Sequence, residues 1–362
     1  MMRFTTLLKH PADWMAAGGG TEVVLTSRVR LARNLANAPF PGWARKIERQ
    51  KVQQALQGKL EGLAVMKDGF SHELSDLEPL QKQVLVERHL ISREQAARNE
   101  GSGSVVNRKQ TLSLMINEED HLRIQAIRPG LQLEEAYDLA RSIDQRLEKE
   151  VEIAVDPDLG YLTACPTNLG TGMRASAMLH LPGLVLSDQI GQVLKAIGKL
   201  GLAVRGLYGE GTESLGNLYQ ISNQSTLGES EKEILKRLGK VIGDVARYES
   251  QAREKLGQED DVMVRDRVGR ASGTLTYAHI ISSKEALNHL SMLRLGSDLG
   301  ILPASLAGTC DLLFMETQPA HLQWAAGEKL KPEARDILRA QMIRDHLHSA
   351  LPPAIDISEK DL

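Results

Sequence analysis

The sequence predicts an α/β (α+β) fold: a largely antiparallel sheet flanked by helices, followed by an all-helical region. Three observations carry this expectation. Short segments in which apolar residues alternate with period two recur between about Val23 and Ser222. Several of these segments are joined by connections too short for a helical crossover, which favours antiparallel pairing. From about Val262 onward the apolar residues recur at helical spacing instead.

In chain order, Gly18-Gly19-Gly20 marks a break, and Val23 to Leu31 follows as a strand with Arg28 and Arg30 on one face. A polar stretch from Arg98 to Arg108, containing Gly101 to Ser104, reads as a loop after the Leu85 to Ile91 segment. Thr111 to Asn117 alternates, with Leu112, Leu114 and Ile116 on one side, and Leu122, Ile124 and Ala126 alternate in a second strand. Leu133, Tyr137, Ala140, Ile143 and Leu147 are spaced for a helix, as are Ile190, Val193, Leu194 and Ile197 in a second that stops at Gly201. Further strands are expected at Val151 to Val155, Gly160 to Ala164, Ala177 to Leu186, Ala203 to Tyr208 and Leu218 to Ser222. Ser230 and Glu233 have capping-box spacing and open a helix striped by Ile234, Leu238, Val241, Ile242 and Val245. Its charged tail, Arg247 to Asp261, reads as a boundary. Helices are then expected at Ser283 to Leu295, Leu306 to Met315 and Pro332 to Leu351. The organisation that follows is an N-terminal segment 1–20, a mixed domain 21–255 and a helical domain 256–362.

At 362 residues the chain accommodates about two domains. A net charge of -3 gives no global pull toward nucleic acid or an anionic membrane, so local clusters must carry any electrostatic function. Two cysteines, Cys165 and Cys310, are too few for a disulfide framework and unlike a structural zinc site, so a reducing cytosol is expected. No apolar run reaches the roughly 20 residues a membrane span needs, and the N-terminus lacks a signal-peptide core, so a cytoplasmic protein is expected.

The chemistry concentrates in Asn117-Glu118-Glu119-Asp120-His121-Leu122-Arg123, which places three acids beside an arginine at a strand junction. An acidic turn is an ordinary surface feature; the alternative is a carboxylate site for a cation beside an anion-binding arginine. Arginines recur at or beside strand ends: Arg28, Arg30, Arg123, Arg174 and Arg205. A nest of guanidinium groups could hold polyphosphate oxygens, and no Gly-x-x-x-x-Gly-Lys-Ser/Thr loop is present to do so instead. Cys165 ends a strand and enters a Gly/Thr loop; it reads either as a small buried residue or as a thiolate facing a guanidinium.

Four blocks, Asn117 to Arg123, Cys165-Pro166-Thr167-Asn168-Leu169-Gly170, Arg174-Ala175-Ser176 and Ile221-Ser222-Asn223, resemble in order and content the guanidino phosphotransferases, the creatine and arginine kinases. The resemblance covers about Thr21 to Gln251; the small helical domain that precedes it in phosphagen kinases is missing and a helical domain follows. That arrangement is similar to the bacterial protein arginine kinases, and implies ATP-dependent phosphorylation of arginine side chains in proteins, with magnesium held through the phosphates. The alternatives are a kinase of free arginine or another small guanidine, and a phosphoarginine-binding adaptor.

Carried over residue by residue, the resemblance implies nucleotide contacts at Thr26, Ser27, Arg28, Val29 and Arg30, His89, Arg123, Arg174, Ala175, Ser176, Ala177 and Met178, and Arg205, Gly206, Leu207, Tyr208 and Gly209. Glu119 and Glu210 become the guanidinium-binding carboxylates, with Glu118 and Glu213 as alternatives, and Cys165 the thiolate beside them. Met178 departs from the family, standing where arginine kinases place a histidine. Arg335-Asp336-Ile337-Leu338-Arg339-Ala340 puts two arginines one turn apart; it reads as a solvated helix face, or, by the resemblance, as an allosteric phosphoarginine pocket. The resemblance also implies a homodimer, a heat-shock repressor among the substrates, an activating zinc protein, and a Clp ATPase/protease acting on marked proteins in a stress response.

Overall fold

The computed structural model describes residues 2–9, 12–13, 23–206, 214–259 and 261–350. The chain divides into two compact units, Met1–Ala252 and Arg253–Leu362.

The first unit contains, in order, α1 (Phe4–Leu8), β1 (Val24–Arg33), α2 (Lys46–Glu61), β2 (Phe70–Glu73), α3 (Pro79–Glu87), α4 (Arg93–Ala96), β3 (Gly103–Val106), β4 (Leu112–Ile116), β5 (Leu122–Pro129) and α5 (Leu133–Leu147). A small hairpin, β6 (Val155–Asp156) and β7 (Gly160–Tyr161), precedes β8 (Met173–His180), α6 (Pro182–Leu186), α7 (Ile190–Lys199), β9 (Leu202–Gly206) and β10 (Leu218–Asn223). The next helix, α8 (Glu231–Glu259), contains the boundary between the units.

Eight strands form one sheet in the order β2-β3-β4-β5-β1-β8-β10-β9, and every ladder is antiparallel. Directly opposed residues in such ladders share a face, so the register sorts the side chains. Val29 and Leu31 of β1, Ile124 and Ala126 of β5, Ala175 and Ala177 of β8 and Ile221 of β10 line the back face. They enter one buried core with Ala136, Ala140 and Ile143 of α5 and Ile234, Leu238 and Ile242 of α8. Burying this face against amphipathic helices is what forces the odd-numbered residues of β1 inward and the even-numbered ones out.

Several elements depart from expectation. The Arg98 to Arg108 stretch is not a loop throughout: Gly103–Val106 is a fully buried strand between β2 and β4. The Asn117 amide holds its approach by donating to Gly101 O at 2.6 Å and Arg49 O at 2.8 Å. The strand expected over Ala177 to Leu186 begins at Met173 and ends at His180, because Pro182 cannot donate into a ladder and opens α6 instead. The Ser230/Glu233 capping box forms, with Ser230 N donating to Glu233 Oε2 at 2.8 Å. Its helix runs on through the charged segment, since Ala252 and Leu256 continue the buried stripe.

The second unit comprises α9 (Asp261–Tyr277), α10 (Ser283–Asp298), α11 (Ser305–Glu316), α12 (Pro319–Ala326) and α13 (Pro332–Ala350). Its interior holds Val268, Leu290, Leu306, Leu313, Leu322 and Ile343. Buried arginines are paired there: Arg253 with Asp298 at 2.8 Å, and Arg294 with Asp298 at 2.9 Å and Asp311 at 2.7 Å. Among the described residues no helix is long and apolar enough to cross a membrane.

Candidate active site

The front face of the sheet is cationic. Arg28 and Arg30 on β1 lie opposite Ser176 and Arg174 on β8, and Arg123 on β5 lies opposite Ala32 of β1. Arg205 on β9 opposes Gln220 on β10, which opposes Met178 on β8. Register alone therefore brings Arg28, Arg30, Arg123, Arg174 and Arg205, contributed by four strands, onto one surface.

Among the described residues only Arg123 of these five makes an ion pair. Arg28 donates to Gln220 Oε1 at 2.7 Å, and the buried Nε of Arg30 has no hydrogen-bond partner. Burial, then repulsion from Arg123 and Arg174, lowers the Arg28 pKa to about 10. Arg30 is pushed well below its ordinary value by burial and by Arg28, Arg123 and Arg174. Four like charges gathered without ion pairs of their own are unfavourable until an anion neutralises them, so the electrostatics of this surface suit a polyanion.

The acids sort themselves by burial. The Glu118 side chain is 1% exposed and accepts from Arg123 Nη1 and Ser92 Oγ, both at 2.6 Å. Its other oxygen accepts from Glu119 N at 3.1 Å. Glu119 is 42% exposed and makes a longer contact of 3.2 Å to Arg123 Nη2. Glu118 is thus committed to holding Arg123, and Glu119 is the acid free to meet a ligand. Partial burial raises the Glu119 pKa, opposed by Arg123 and reinforced by Asp120, Glu118 and Glu94.

Cys165 is half-buried, and its Sγ lies 3.0 Å from Thr167 Oγ1. It stands at the start of a single 3-10 turn, Pro166–Asn168. Burial and the neighbouring Arg205 and Arg123 lower the Arg174 pKa, while Cys165 and Glu119 both oppose that shift. The thiol and the carboxylate therefore lie within electrostatic reach of the same guanidinium. The turn continues into Gly170, whose φ of +105° is closed to most side chains; a Cβ there would lie 2.4 Å from Thr226 O. Asn223 supplies the remaining support, accepting from Ala175 N at 2.7 Å and donating to Met173 O at 3.0 Å.

Thr26, Arg28, His89, Ile127, Ser176, Met178 and Gln220 line a small pocket beside the arginines. His89 reaches it from the end of α3 with a φ of +57°, and its carbonyl accepts from Gln125 Nε2 at 2.7 Å. Not every expected contact shares this surface. Ser27, Val29, Ala175 and Ala177 alternate onto the back face and are buried, and Ser27 Oγ is taken up by Gly130 O and Gln132 N. Period-two alternation is the reason: a contiguous motif spans both faces. Gly206 ends β9, and Leu207, Tyr208, Gly209, Glu210 and Glu213 lie outside the described residues. Gln220, Ser92 and Ile127 were not legible as site residues, although Gln220 alternates with the buried Tyr219 and Ile221 and so signalled its face.

In the helical unit, Arg335 and Arg339 do lie one turn apart on α13, but they differ in role. The Arg339 side chain is 1% exposed and donates to Thr317 O at 3.0 Å, Ile281 O at 2.9 Å and Asp336. Arg335 is half-buried, and Ala340 is buried beside Arg339. A pair of equally available arginines is therefore not assembled: Arg339 crosslinks the helices and only Arg335 lacks such bonds among the described residues.

Residues 50–252 match the family model for the ATP:guanido phosphotransferase C-terminal catalytic domain, and residues 261–357 match that for the protein-arginine kinase McsB C-terminal domain. The chain is 46% identical over 347 residues to a protein-arginine kinase of Halothermothrix orenii, covering 94% of this chain and 97% of the relative. It is 45% identical over 339 residues to one from Bacillus cereus, covering 93% and 96% respectively. Among solved structures, a lombricine kinase superposes with a TM-score of 0.56 at 27% identity, over 66% of this chain and 71% of that one. The duplicated taurocyamine kinase of Schistosoma mansoni with bound transition-state analogue components gives 0.57 at 28% identity, over 69% of this chain and 36% of that one. With both family models matched and relatives similar over nearly its whole length, the chain belongs to the ATP:guanido phosphotransferase family, alongside the protein-arginine kinases, and is an ATP-dependent phosphotransferase.

Proposed function

We propose that this chain transfers the γ-phosphate of ATP to arginine side chains of proteins. The observation that carries the proposal is the placement of Glu119, half-exposed beside Arg123, at the edge of a surface where Arg28, Arg30, Arg174 and Arg205 make no ion pair among the described residues. Its similarity to protein-arginine kinases over nearly the whole length favours a protein arginine over a free metabolite as acceptor.

The nucleoside would enter the pocket of Thr26, His89, Ile127 and Met178, and its phosphates would run across Arg28, Arg30, Arg123, Arg174 and Arg205. Magnesium would be held through phosphate oxygens. A guanidinium is a poor nucleophile while protonated, so the attacking nitrogen needs a carboxylate that aligns it and takes its proton. Glu119 fills that role, with Cys165 on the same Arg174 and Glu210 as the second carboxylate. The N–P bond forms as the bond from the γ-phosphorus to the β,γ-bridging oxygen breaks; ADP leaves and the proton goes to Glu119. Positioning and charge neutralisation then supply most of the acceleration.

The test is to incubate the protein with Mg-ATP and either an unfolded arginine-rich protein or free arginine, then map acid-labile phosphate by gentle mass spectrometry. Phosphate on protein arginines, absent with Glu119→Gln, is expected. Phosphate on free arginine alone would make this a small-guanidine kinase, and none on either would favour a phosphoarginine-binding adaptor.

The wider role we propose is cytoplasmic: marking proteins for Clp-type proteolysis under stress, with a heat-shock repressor among the substrates and a zinc protein as activator. The helical unit would support a homodimer and sense phosphoarginine at Arg335 and Asp336, with Arg339 and Ala340 shaping the floor. Unchanged phosphoarginine binding in Arg335→Ala would remove the sensing role, and a monomeric mass in solution would remove the dimer.

A further inference from the structure

We infer that Asp120 is a positioning residue that sets the spacing between Glu119 and Cys165 through one carboxylate oxygen. The inference rests on the proposal that those two groups hold the guanidinium. Asp120 is fully buried. Its Oδ1 accepts from Ala164 N at 2.7 Å and from Asn34 Nδ2 at 2.6 Å. Ala164 immediately precedes Cys165, and Asp120 immediately follows Glu119. One hydrogen bond therefore joins the residue next to the base to the residue next to the thiol.

Asn34, at the end of β1, completes the clamp. Its Nδ2 also donates to Leu162 O at 3.1 Å, and its Oδ1 accepts from His121 N at 2.9 Å. The acidic turn, the chain entering Cys165 and the central strand are thus tied at a single point. His121 braces the same turn from outside, its Nδ1 accepting from Leu35 N and its Nε2 facing Pro39 O, each at 3.0 Å.

The second oxygen of Asp120 argues that the arrangement serves more than stability. Asp120 Oδ2 is buried and has no hydrogen-bond partner. An enclosed carboxylate oxygen without a donor is costly, and an apolar residue would avoid that cost if filling space were the only requirement. What the side chain provides is one oxygen that accepts from two donors at once, and displacement of reacting groups by about 1 Å can cost about 100-fold in rate.

The test compares Asp120→Asn and Asp120→Ala in the full-length protein. The asparagine carbonyl can still accept from Asn34 and Ala164, whereas alanine cannot. For Asp120→Ala, kcat/KM for the guanidino substrate should fall about 100-fold while KM for ATP changes less than about twofold, because the hydrogen bonds of Asp120 go to Asn34 and Ala164 and to none of the five arginines. Asp120→Asn should recover most of that loss. The rate of Cys165 alkylation by iodoacetamide should change in Asp120→Ala and return toward wild type in Asp120→Asn. If Asp120→Ala does not fold, Asn34→Ala, which removes one donor and the Leu162 tether, should show the same split on a smaller scale. The inference is overturned if a folded Asp120→Ala keeps its guanidino kcat/KM, if KM for ATP rises in parallel, or if Asp120→Asn is as impaired as Asp120→Ala. A wild-type protein that phosphorylates no guanidine is a different result, and removes the functional proposal itself.

Discussion

Replacing Glu118 and Glu119 one at a time by glutamine should separate stability from catalysis, although the two are neighbours. Glu118 is 1% exposed and faces an Arg123 side chain that is 12% exposed, at 2.6 Å. Removing one partner of a buried pair costs about 3–5 kcal/mol. Arg123 retains Glu119 at 3.2 Å and glutamine can still accept from Ser92, so about 3 kcal/mol is expected, near the lower end of that range. For a unit of this size each kcal/mol moves Tm by about 2–4 °C, so Glu118→Gln should melt roughly 6–12 °C lower. Glu119, 42% exposed, makes a solvated contact that contributes at most about 1 kcal/mol, and its melt should shift by no more than about 2–4 °C. Activity should run the other way: loss of a general base costs about 10²–10⁴-fold, so Glu119→Gln should lose far more acid-labile phosphate transfer than Glu118→Gln assayed below its own Tm. Thermal melts by circular dichroism and initial rates on one guanidino substrate measure both. A Glu119→Gln enzyme within about tenfold of wild type would refute the assignment of the base.

Arg30→Met should leave the ligand-free melt unchanged or raise it, since it removes a charge repelled by Arg28, Arg123 and Arg174. The same change should weaken ATP by about 10–100-fold, through loss of a charge-assisted contact of about 1.5–3 kcal/mol; a lower melt with ATP affinity intact would contradict the anion-clamp reading. Because burial raises the Glu119 pKa and transfer requires the carboxylate, kcat/KM should fall as pH drops through a value above the ordinary 4.3 or so, and Glu119→Gln should lack that acid limb. Asp144→Asn should cost about 3 kcal/mol by calorimetry or denaturant melt, because Arg33 and Asp144, 3% and 7% exposed, meet at 2.6 Å with Arg33 stacked under Tyr161. Gly170→Ala should cost at least about 1–3 kcal/mol and alter Cys165 alkylation, since the new Cβ would fall 2.4 Å from Thr226 O at a φ of +105°.

How far the site could be read from the sequence depends on the range of the interaction that builds it. Some local signals held, while the strands expected at Val151 to Val155 and Gly160 to Ala164 shrink to the two-residue β6 and β7. The alternation of Arg28 and Arg30 in β1, the helical spacing of α5 and the Ser230/Glu233 capping box each depend on residues a few positions apart, and each appears in the structure. Proline chemistry moved the end of β8, and a Gly/Ser stretch that looked like a loop became β3 because β2 and β4 take up its backbone hydrogen bonds on both sides. The division of labour between Glu118 and Glu119 was illegible for the same reason. Two adjacent acids look alike in sequence, and what distinguishes them is Ser92, 26 residues away, which takes one of the pair out of solvent. Asn34 and Asp120 are 86 residues apart, Asp120 and Ala164 are 44 apart, and neither bond leaves a pattern in the chain. Alternation assigns residues to two faces but not a function to either. Only the apolar partners of Val29 and Ala175 on α5 and α8 make one face the core, and by elimination they make the other a surface where, among the described residues, Arg28, Arg30, Arg174 and Arg205 stand without ion pairs. The chemistry of the site is therefore encoded twice: locally, in which residues the strands carry, and globally, in which helices cover the opposite side.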